Sequence, residues 1–346
     1  MSVPTPGNFD CARLQEIKLR MSAIVSPNDL KDSEYVPDIA PLKMVQEIQT
    51  MRFTDLLDPT KDNSVTGVWM DDCDEEEPAD CEEACEIEGA EIGTQCKPYE
   101  LDVCFEKTFS VSERKFRQLG PSVSFDEEVA INLAKKLKLM DEGWARRVVG
   151  ALDSVAGLNL NTSPYTVGAT STAIPATAWN PDLFGYFAVT RNRNKLPNMR
   201  LLLGGVMEQY FWKIANETST GEGQNNARKV GSLGSVFTDS FLTEVVVGQK
   251  AAFLVSPSAI AIATKAYFTP YGSGREEVAA GNKHIMYTIT SPNSGITYDV
   301  TYQVKCVTTN GVQDWIHTWR ISTKGAVLTN GRFCQAKTGV LKFLCA

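Results

Sequence analysis

The part of the sequence richest in reactive groups is residues 71–96, DDCDEEEPADCEEACEIEGAEIGTQC. It contains twelve carboxylates and four cysteines, with neither lysine nor arginine. Thiolates and carboxylates are metal ligands, two thiols can form a disulfide, and a dense run of acids can also stand in water as a charged protrusion. Three roles are therefore open for this segment: a metal site, a disulfide-stapled loop, or a surface that contacts other molecules.

The cysteine spacing argues against the common metal sites. Cys73, Cys81, Cys85 and Cys96 are separated by seven, three and ten residues, whereas the cysteines of a structural zinc site usually come in pairs separated by roughly two to four residues. The acids also lack the central glycine and the terminal glutamate of a calcium-binding EF-hand loop. We assign no metal-ligating residue on this evidence.

Disulfides fit the clustering of the cysteines better. Five of the nine lie within 32 positions and are the candidate disulfide residues: Cys73, Cys81, Cys85, Cys96 and Cys104. Closing a loop of about 15 residues stabilises a fold by roughly 3 kcal/mol in the chain-entropy model. Such bonds are disfavoured in a reducing cytoplasm. Disulfides and free buried thiols therefore both remain open.

Signatures of catalysis are missing from the sequence. The two histidines, His284 and His317, both lie in strand-like segments, and His317 alternates with Trp315 and Trp319, which is typical of a packed imidazole. No nucleophile elbow, zinc-protease motif, phosphate-binding loop or dinucleotide-binding glycine pattern is present. The sequence predicts a protein that is not an enzyme, with no catalytic residue and no cofactor-binding residue.

Composition sets the broad class. The chain has 346 residues with 43% apolar content, which is typical of a globular protein with a substantial core. The net charge is −8 and residues 71–96 carry −12, which leaves +4 for the rest, and no basic tail or stripe predicts nucleic-acid binding. The first residues do not resemble a secretory signal, and no apolar run is long enough for a membrane span, so we expect synthesis in a cytoplasm.

The first third of the chain reads as an arm followed by a hairpin. In residues 1–60, CARLQEIKLRM and LKMVQEIQTM are amphipathic helices too short to be stable alone, so they must lie on this chain's core or on a neighbour's. In residues 61–105, VTGVWM and YELDVCF have the composition of strands and flank the acidic segment. This pattern predicts an extended hairpin with an acidic, cysteine-rich tip.

A single long helix is predicted over residues 124–157. Ser124 and Glu127 form a capping-box pattern, and apolar residues then recur every three or four positions. At 1.5 Å per residue the helix is on the order of 50 Å long. Gly143 lies near its middle, where a kink or a break is possible.

The second half predicts an α+β arrangement with antiparallel strand pairs. LPNMRLLLGG reads as a strand, VMEQYFWKIANE as a helix, and AAFLVSPSAIAIATKAYF as a strand followed by a helix that begins at Ser256 and Pro257. A hairpin is expected around SPNSG, and the last strand candidates are DWIHTWRIS, GAVLTN and GVLKFLC.

This order of parts resembles the major capsid proteins of tailed bacteriophages, which have the Hong Kong 97 fold. Four segments are also similar to coat proteins of phages that infect Bacteroidetes: LPNMRLLLGGVMEQYFWKIA, QKAAFLVSPSAIAIATKAYF, SGITYDVTYQVKC and TGVLKFLC. The resemblance implies a division into an N-terminal arm (1–60), an extended hairpin or E-loop (61–105), a P-domain (106–180) with the spine helix 124–157, an A-domain with returning P-domain strands (181–330) and a C-terminal strand (331–346).

The resemblance implies a structural role. Many copies would assemble as hexamers and pentamers into an icosahedral shell around double-stranded DNA, with portal and decoration or auxiliary capsid proteins as further partners and no membrane. The DNA would be held by non-specific proximity, and the arm and the hairpin would lie across neighbouring subunits. Some family members form a covalent cross-link between a lysine and an asparagine, but Lys97 is the one lysine near this hairpin tip, so that chemistry is not transferred.

Two other functions compete with the capsid interpretation. An encapsulin-type compartment would share the fold but enclose enzymes. A soluble metal- or ligand-binding protein would use the acidic, cysteine-rich loop as its site. The location expected under the leading interpretation is the virion capsid, after assembly in the cytoplasm of a host bacterium.

Overall fold

A computed structural model describes most of the chain outside the acidic segment. The described residues are 11–24, 35–53, 56, 63–70, 94–118, 124–155, 163–165, 168, 170–194, 199–216, 236–238, 242–257, 259–267, 275–279, 282–309, 311–330 and 339–346. All structural statements below concern these residues.

The helices of the described chain are mostly short, with one long exception. They are α1 (Cys11–Ile24), α2 (Ala40–Ile48), α3 (Glu113–Gln118), α4 (Phe125–Val155), α5 (Leu183–Arg193), α6 (Gly205–Asn216) and α7 (Leu242–Val247). The two helices predicted in the arm, the long helix and the helix after LPNMRLLLGG are confirmed. Within the described ranges, none of these helices combines the length and the apolar character that a membrane crossing requires.

The strands form three sheets. They are β1 (Arg52–Phe53), β2 (Ser64–Met70), β3 (Thr94–Glu100), β4 (Val103–Ser112), β5 (Thr172–Ile174), β6 (Arg200–Leu203), β7 (Val236–Thr238), β8 (Ala251–Val255), β9 (Ile260–Lys265), β10 (Arg275–Ala279), β11 (Asn282–Thr290), β12 (Thr297–Thr309), β13 (Val312–Thr329) and β14 (Val340–Cys345). The sheet orders are β1-β2-β3; β10-β11-β12-β13-β4, with β9 also on β13; and β5-β14-β8-β6-β7. Most pairs are antiparallel, as the sequence predicts, and the parallel pairs are β5 with β14 and β6 with β7.

Helix α4 is the longest helix and contributes to the main core along its whole length. Its apolar stripe is almost fully buried at Val129, Leu133, Leu137, Met140, Trp144, Val148 and Leu152. The helix is continuous through Gly143, where the sequence allows a kink or a break. Burial of the stripe on both sides of this position outweighs the cost of one helical glycine, which is about 1 kcal/mol.

The strand predicted over YELDVCF needs correction. This segment is divided between two sheets, because β3 ends at Glu100 and β4 begins at Val103. Leu101 and Val103 are buried, while Asp102 is exposed. The Leu101 N–H donates to the Asn63 carbonyl at 2.8 Å. The chain therefore leaves the hairpin at residue 101 and enters the larger sheet.

The helix predicted from Ser256 is wrong, because residues 260–265 form strand β9 on β13. The small residues of β9 allow close packing against β13 and do not indicate a helix. Ala261 and Ala263 face the cluster at the base of the hairpin. A Cβ at Gly325 of β13 would overlap the Ala263 carbonyl and lie 2.6 Å from Trp144. The two last predicted segments before the C-terminus, DWIHTWRIS and GAVLTN, are one continuous strand that passes through this glycine.

Candidate assembly site

The base of the predicted hairpin is present as a small antiparallel sheet. Strands β2 and β3 pair with Val65 opposite Tyr99. Met51, Val65 and Leu101 pack on side chains from β9 and β13, which are Ala261, Ala263, Ala326 and Leu328. This cluster of the chain's own residues anchors the hairpin at its base.

Gly67 lets the hairpin sheet close over Met51. It lies in β2 opposite Lys97 and Phe53. A Cβ at this position would overlap the Met51 methyl group and lie 3.0 Å from the Tyr99 ring. A larger residue must displace the flexible end of the Met51 side chain and press on the Tyr99 ring, so the glycine permits the observed close packing.

The candidate disulfide cysteines are only partly described. Cys73, Cys81 and Cys85 lie outside the described residues, as does the rest of the segment 71–93. Cys96 lies in β3 opposite Val68, and Cys104 lies in β4 of the larger sheet, exposed and with a free thiol. Among the described residues no group of three or more potential metal ligands comes together. The disulfide assignment stays a prediction.

The two described helices of the arm pack on this chain's own core, which is one of the two possibilities that their amphipathic pattern leaves open. Ile17 and Met21 of α1 are buried against the main core, and α2 buries Leu42, Val45 and Ile48 in it as well. The Arg13 guanidinium donates to the Asp126 carboxylate at 2.8 Å, which ties α1 to the beginning of α4. The apolar stripes of both helices are thus buried within the same chain, in the core that α4 also lines.

The predicted packed histidine is buried in a polar cluster. His317 of β13 lies between Tyr302, 2.7 Å from Nδ1, and Glu113, 2.9 Å from Nε2. Because a carboxylate only accepts, Nε2–H donates to Glu113, while Nδ1 shares a hydrogen bond with the Tyr302 hydroxyl. Burial raises the pKa of Tyr302, so its hydroxyl keeps its proton. The cluster ties α3 to the larger sheet, and the Phe125 ring packs edge-on against the imidazole.

A second buried polar cluster was not predicted from the sequence. Asp141 of α4 is fully buried and accepts three hydrogen bonds of 2.6 Å, from the hydroxyls of Ser291, Ser294 and Tyr298. Both serines belong to the turn between β11 and β12. A carboxylate on the apolar stripe of α4 was the available signal, since such a group must find donors inside the fold.

Burial dominates the electrostatics of this cluster. Desolvation raises the pKa of the Asp141 carboxyl, and the three hydroxyl donors oppose this shift only in part. Burial and the neighbouring Asp141 charge also raise the pKa of Tyr298. The amide of Gln46 in α2 donates to the Ser294 carbonyl at 2.7 Å. The β11–β12 turn is therefore held by both the long helix and the arm, which suits a rigid scaffold better than a reaction centre.

A shallow cleft lies where this turn meets β9. It has a volume of about 430 Å³ and is lined by Gln46, Gln49, Leu56, Ile262, Thr264, Ala266, Gly295, Ile296 and Thr297. The Gln46 amide is bonded to the turn, and the Gln49 carbonyl oxygen accepts from the Ile262 N–H at 3.0 Å. The two most polar lining groups thus already serve the fold.

The tip of the β12–β13 ribbon exposes apolar side chains. The pairing of β13 with β4 ends at Ile316, while β12 and β13 continue to the turn at Gly311, whose φ is 74°. Trp315 is 47% exposed, although Trp319, on the same face, is fully buried. Val307 and Val312 are exposed on the other face of the ribbon. Such side chains at a projecting tip are typical of contact surfaces.

Comparisons with known proteins agree with this architecture. No family model matches the sequence, and no curated protein matches it. A chain of the Cyanophage A-1(L) capsid asymmetric unit matches in structure with a TM-score of 0.50 and 7% identity, over 92% of this chain and 98% of that chain. A chain of the capsid of Ralstonia phage GP4 matches with a TM-score of 0.42, 12% identity and coverages of 81% and 82%. A chain of Mycobacterium phage Bobi matches with a TM-score of 0.42, 16% identity and coverages of 92% and 94%.

At these identities the matches show a likeness of fold only. The evidence for this likeness is the cyanophage match, whose TM-score is 0.50. That match extends over nearly the full length of both chains. The chain is a mixed helix-and-sheet protein with the overall fold of a phage capsid chain.

Proposed function

We propose that the chain is the major capsid protein of a tailed bacteriophage, a structural protein that self-assembles into an icosahedral shell around double-stranded DNA. The observation that carries the proposal is the near full-length structural match to a chain of the Cyanophage A-1(L) capsid. The order of parts along the chain adds the tailed-phage class and the Hong Kong 97-type division, and the four quoted segments resemble coat proteins of phages that infect Bacteroidetes.

The proposed parts correspond to described elements. The arm contains α1 and α2, the E-loop rises from β2 and β3, and the spine helix is α4. The P-domain sheet is formed by β4 and β10–β13, and the A-domain contains α5, α6 and the sheet around β8. The order of these elements along the chain and the single long helix support this division.

The described surfaces suit a protein whose partners are copies of itself. Strand β3 lies at the edge of the described hairpin sheet, and the ribbon tip exposes Trp315. Both features leave apolar or pairing groups that burial at an interface would stabilise. The buried clusters around Asp141 and His317 hold elements together and are closed to solvent, so the role we propose is structural and not enzymatic. Portal and decoration proteins are further proposed partners.

Sedimentation of the purified, expressed chain tests this proposal. We expect species of many copies, far above the 38.0 kDa of one chain, that dissociate in denaturant and reform on its removal. A chain that sediments as a monomer over a wide range of concentration, with or without the other virion proteins, would contradict it. Particles that contain a cargo enzyme and no DNA would instead identify an encapsulin-type compartment. Stoichiometric zinc or calcium that is lost in Cys81→Ser and Cys85→Ser would favour a metal-binding protein.

A further inference from the structure

The β12–β13 ribbon projects beyond the sheet to which it belongs. The pairing of β11 with β12 ends at Gln303, and the pairing of β4 with β13 ends at Ile316. Among the described residues, 304–309 and 312–315 therefore pair only with each other. The six residues of β12 extend the ribbon by about 20 Å at 3.3 Å per residue. Because a two-stranded ribbon is marginally stable in water, we expect this projection to gain stability from a covering surface.

One face of the ribbon continues the aromatic row of the core past the point where the core covers it. Trp319 and His317 of β13 are buried under α3 and the start of α4. Trp315 is the next residue on the same face, and it is 47% exposed. Its cross-strand partner is Cys306, an exposed free thiol. The row of core side chains thus reaches the surface at Trp315 without a described element over it.

The uncovered part of this face carries no acidic or basic residue. It consists of two cross-strand pairs of exposed residues, which we call the tip face: Cys306 with Trp315, and Thr308 with Gln313. The charged groups of the projecting ribbon, Lys305 and Asp314, belong to the opposite face. Asp314 already accepts a hydrogen bond from the Ser112 hydroxyl at 2.6 Å.

We infer that the tip face binds the tip face of a second copy of this chain. This assignment rests on the proposed function, in which many copies assemble, and it names one surface of contact. An uncharged patch can meet its own copy without opposing like charges, as a two-fold contact requires. Interface cores are depleted in charge and are often centred on an aromatic residue. Trp315 is the aromatic residue at the centre of this patch.

The small size of the tip face favours a second copy over a separate protein. Four residues a chain is far below the roughly 20–30 residues a side of a stable interface, so this patch cannot hold an independent partner by itself. In a shell every copy makes the same contact, and contacts made simultaneously raise the overall affinity. The competing occupants are a decoration protein and a different surface of another copy.

Assembly of Trp315→Thr tests the contact. The substitution removes the indole and keeps a residue that favours strands. Val312→Thr is the matched control, because Val312 is on the opposite face of the same ribbon and is 42% exposed. We expect Trp315→Thr to raise the protein concentration needed for assembly at least about tenfold, which is typical of a lost aromatic anchor. The control is expected to change it by less than about threefold. Circular dichroism of each variant checks folding.

Cross-linking of Cys306 reads the same contact without altering the tip face. Assembled wild-type particles are treated with a short bismaleimide, which joins two thiols without oxidation, and the linked peptides are identified by mass spectrometry. A link from Cys306 to Cys306 necessarily joins two copies, and we expect it because Cys306 lies opposite Trp315. Cys104 is also a free, exposed thiol, and its link to itself measures the background.

Three results would overturn the inference. A Trp315→Thr variant that assembles like wild type would show that the indole is not buried between copies. Equal losses in Trp315→Thr and Val312→Thr would mean that assembly needs the ribbon as a whole and not this face. A loss in Trp315→Thr alone, without a Cys306-to-Cys306 link above background, would place the tip face against a decoration protein or another surface.

Shell formation and the tip contact are scored separately. Shells that form equally well from Trp315→Thr leave the proposed function standing and remove the contact. A wild-type chain that forms no shells, but whose concentrated solution gives the Cys306-to-Cys306 link that Trp315→Thr lacks, removes the proposed function and keeps the contact. A wild-type chain with neither shells nor this link removes both.

Discussion

Replacing Asp141 by alanine should destabilise the unassembled protein by about 3 kcal/mol. The variant leaves three buried hydroxyls, on Ser291, Ser294 and Tyr298, without the acceptor they reach at 2.6 Å. Each unsatisfied buried group costs about 1–3 kcal/mol. Release of the buried carboxylate from its desolvation penalty offsets part of this sum, which leaves a net loss at the lower end of the range for a broken buried polar cluster.

Urea unfolding followed by tryptophan fluorescence measures this loss, because Trp144 lies one turn from Asp141 on the same helix. Asp182→Ala is the matched control, since Asp182 is an exposed carboxylate whose side chain makes no capping bond at the start of α5. We expect the control to change the free energy of unfolding by less than about 0.5 kcal/mol. A loss below about 1 kcal/mol in Asp141→Ala would refute the view that this carboxylate holds the β11–β12 turn.

Asp141→Asn tests the charge separately from the hydrogen bonds. Burial raises the pKa of Asp141 above its ordinary value of 3.8 in the folded state, so the folded protein binds this proton more readily than the unfolded chain. Its pH-dependent contribution to stability is full below 3.8 and is lost as pH rises through the raised pKa. Relative to wild type, the asparagine variant should therefore gain stability as pH rises from that region to 7. A difference between the two proteins that is independent of pH would contradict the assignment.

Three further predictions concern the hairpin, the buried histidine and the cysteines. Gly67→Ala should lower the free energy of unfolding in urea by about 1–3 kcal/mol. The control Gly150→Ala, with open space around its Cβ, should be neutral or stabilising. Equal effects of the two substitutions would exclude a steric conflict with Met51. His317→Ala should cost about 2–4 kcal/mol by removing the buried hydrogen bonds that join the imidazole to Tyr302 and to Glu113, against less than about 1 kcal/mol for the half-buried His284→Ala. Similar losses in the two variants would show that the cluster contributes nothing specific. If disulfides join subunits through Cys73, Cys81, Cys85, Cys96 or Cys104, particles should migrate as larger species on non-reducing than on reducing gels; identical migration with all thiols titratable would exclude them.

The elements that the sequence predicts well are those with a strong local pattern. Helix α4 follows from the regular stripe from Val129 to Leu152, and the β11–β12 hairpin follows from alternation around SPNSG. Strand β9 could not be predicted in the same way, because Ser256 and Pro257 imitate a helix start. Its identity is decided by the space between β13 and the hairpin base, which only small residues such as Ala261 and Ala263 can fill.

Contacts between residues that are far apart in the chain could not be predicted from the sequence. Asp141 and the serines that bond it are about 150 residues apart, and no local pattern indicates that the turn reaches the helix. The sequence does not decide whether α1 and α2 pack on this chain or on a neighbour, because an amphipathic stripe does not specify what covers it.

Electron microscopy of the particles formed by the purified chain tests the central claim most directly. The proposed function predicts closed shells of uniform diameter with icosahedral symmetry, in which each subunit is fitted by the fold described above, with α4 and the β12–β13 ribbon resolved in the shell wall. Discrete monomers or small open oligomers under all conditions, including in the presence of the other virion proteins, would contradict it.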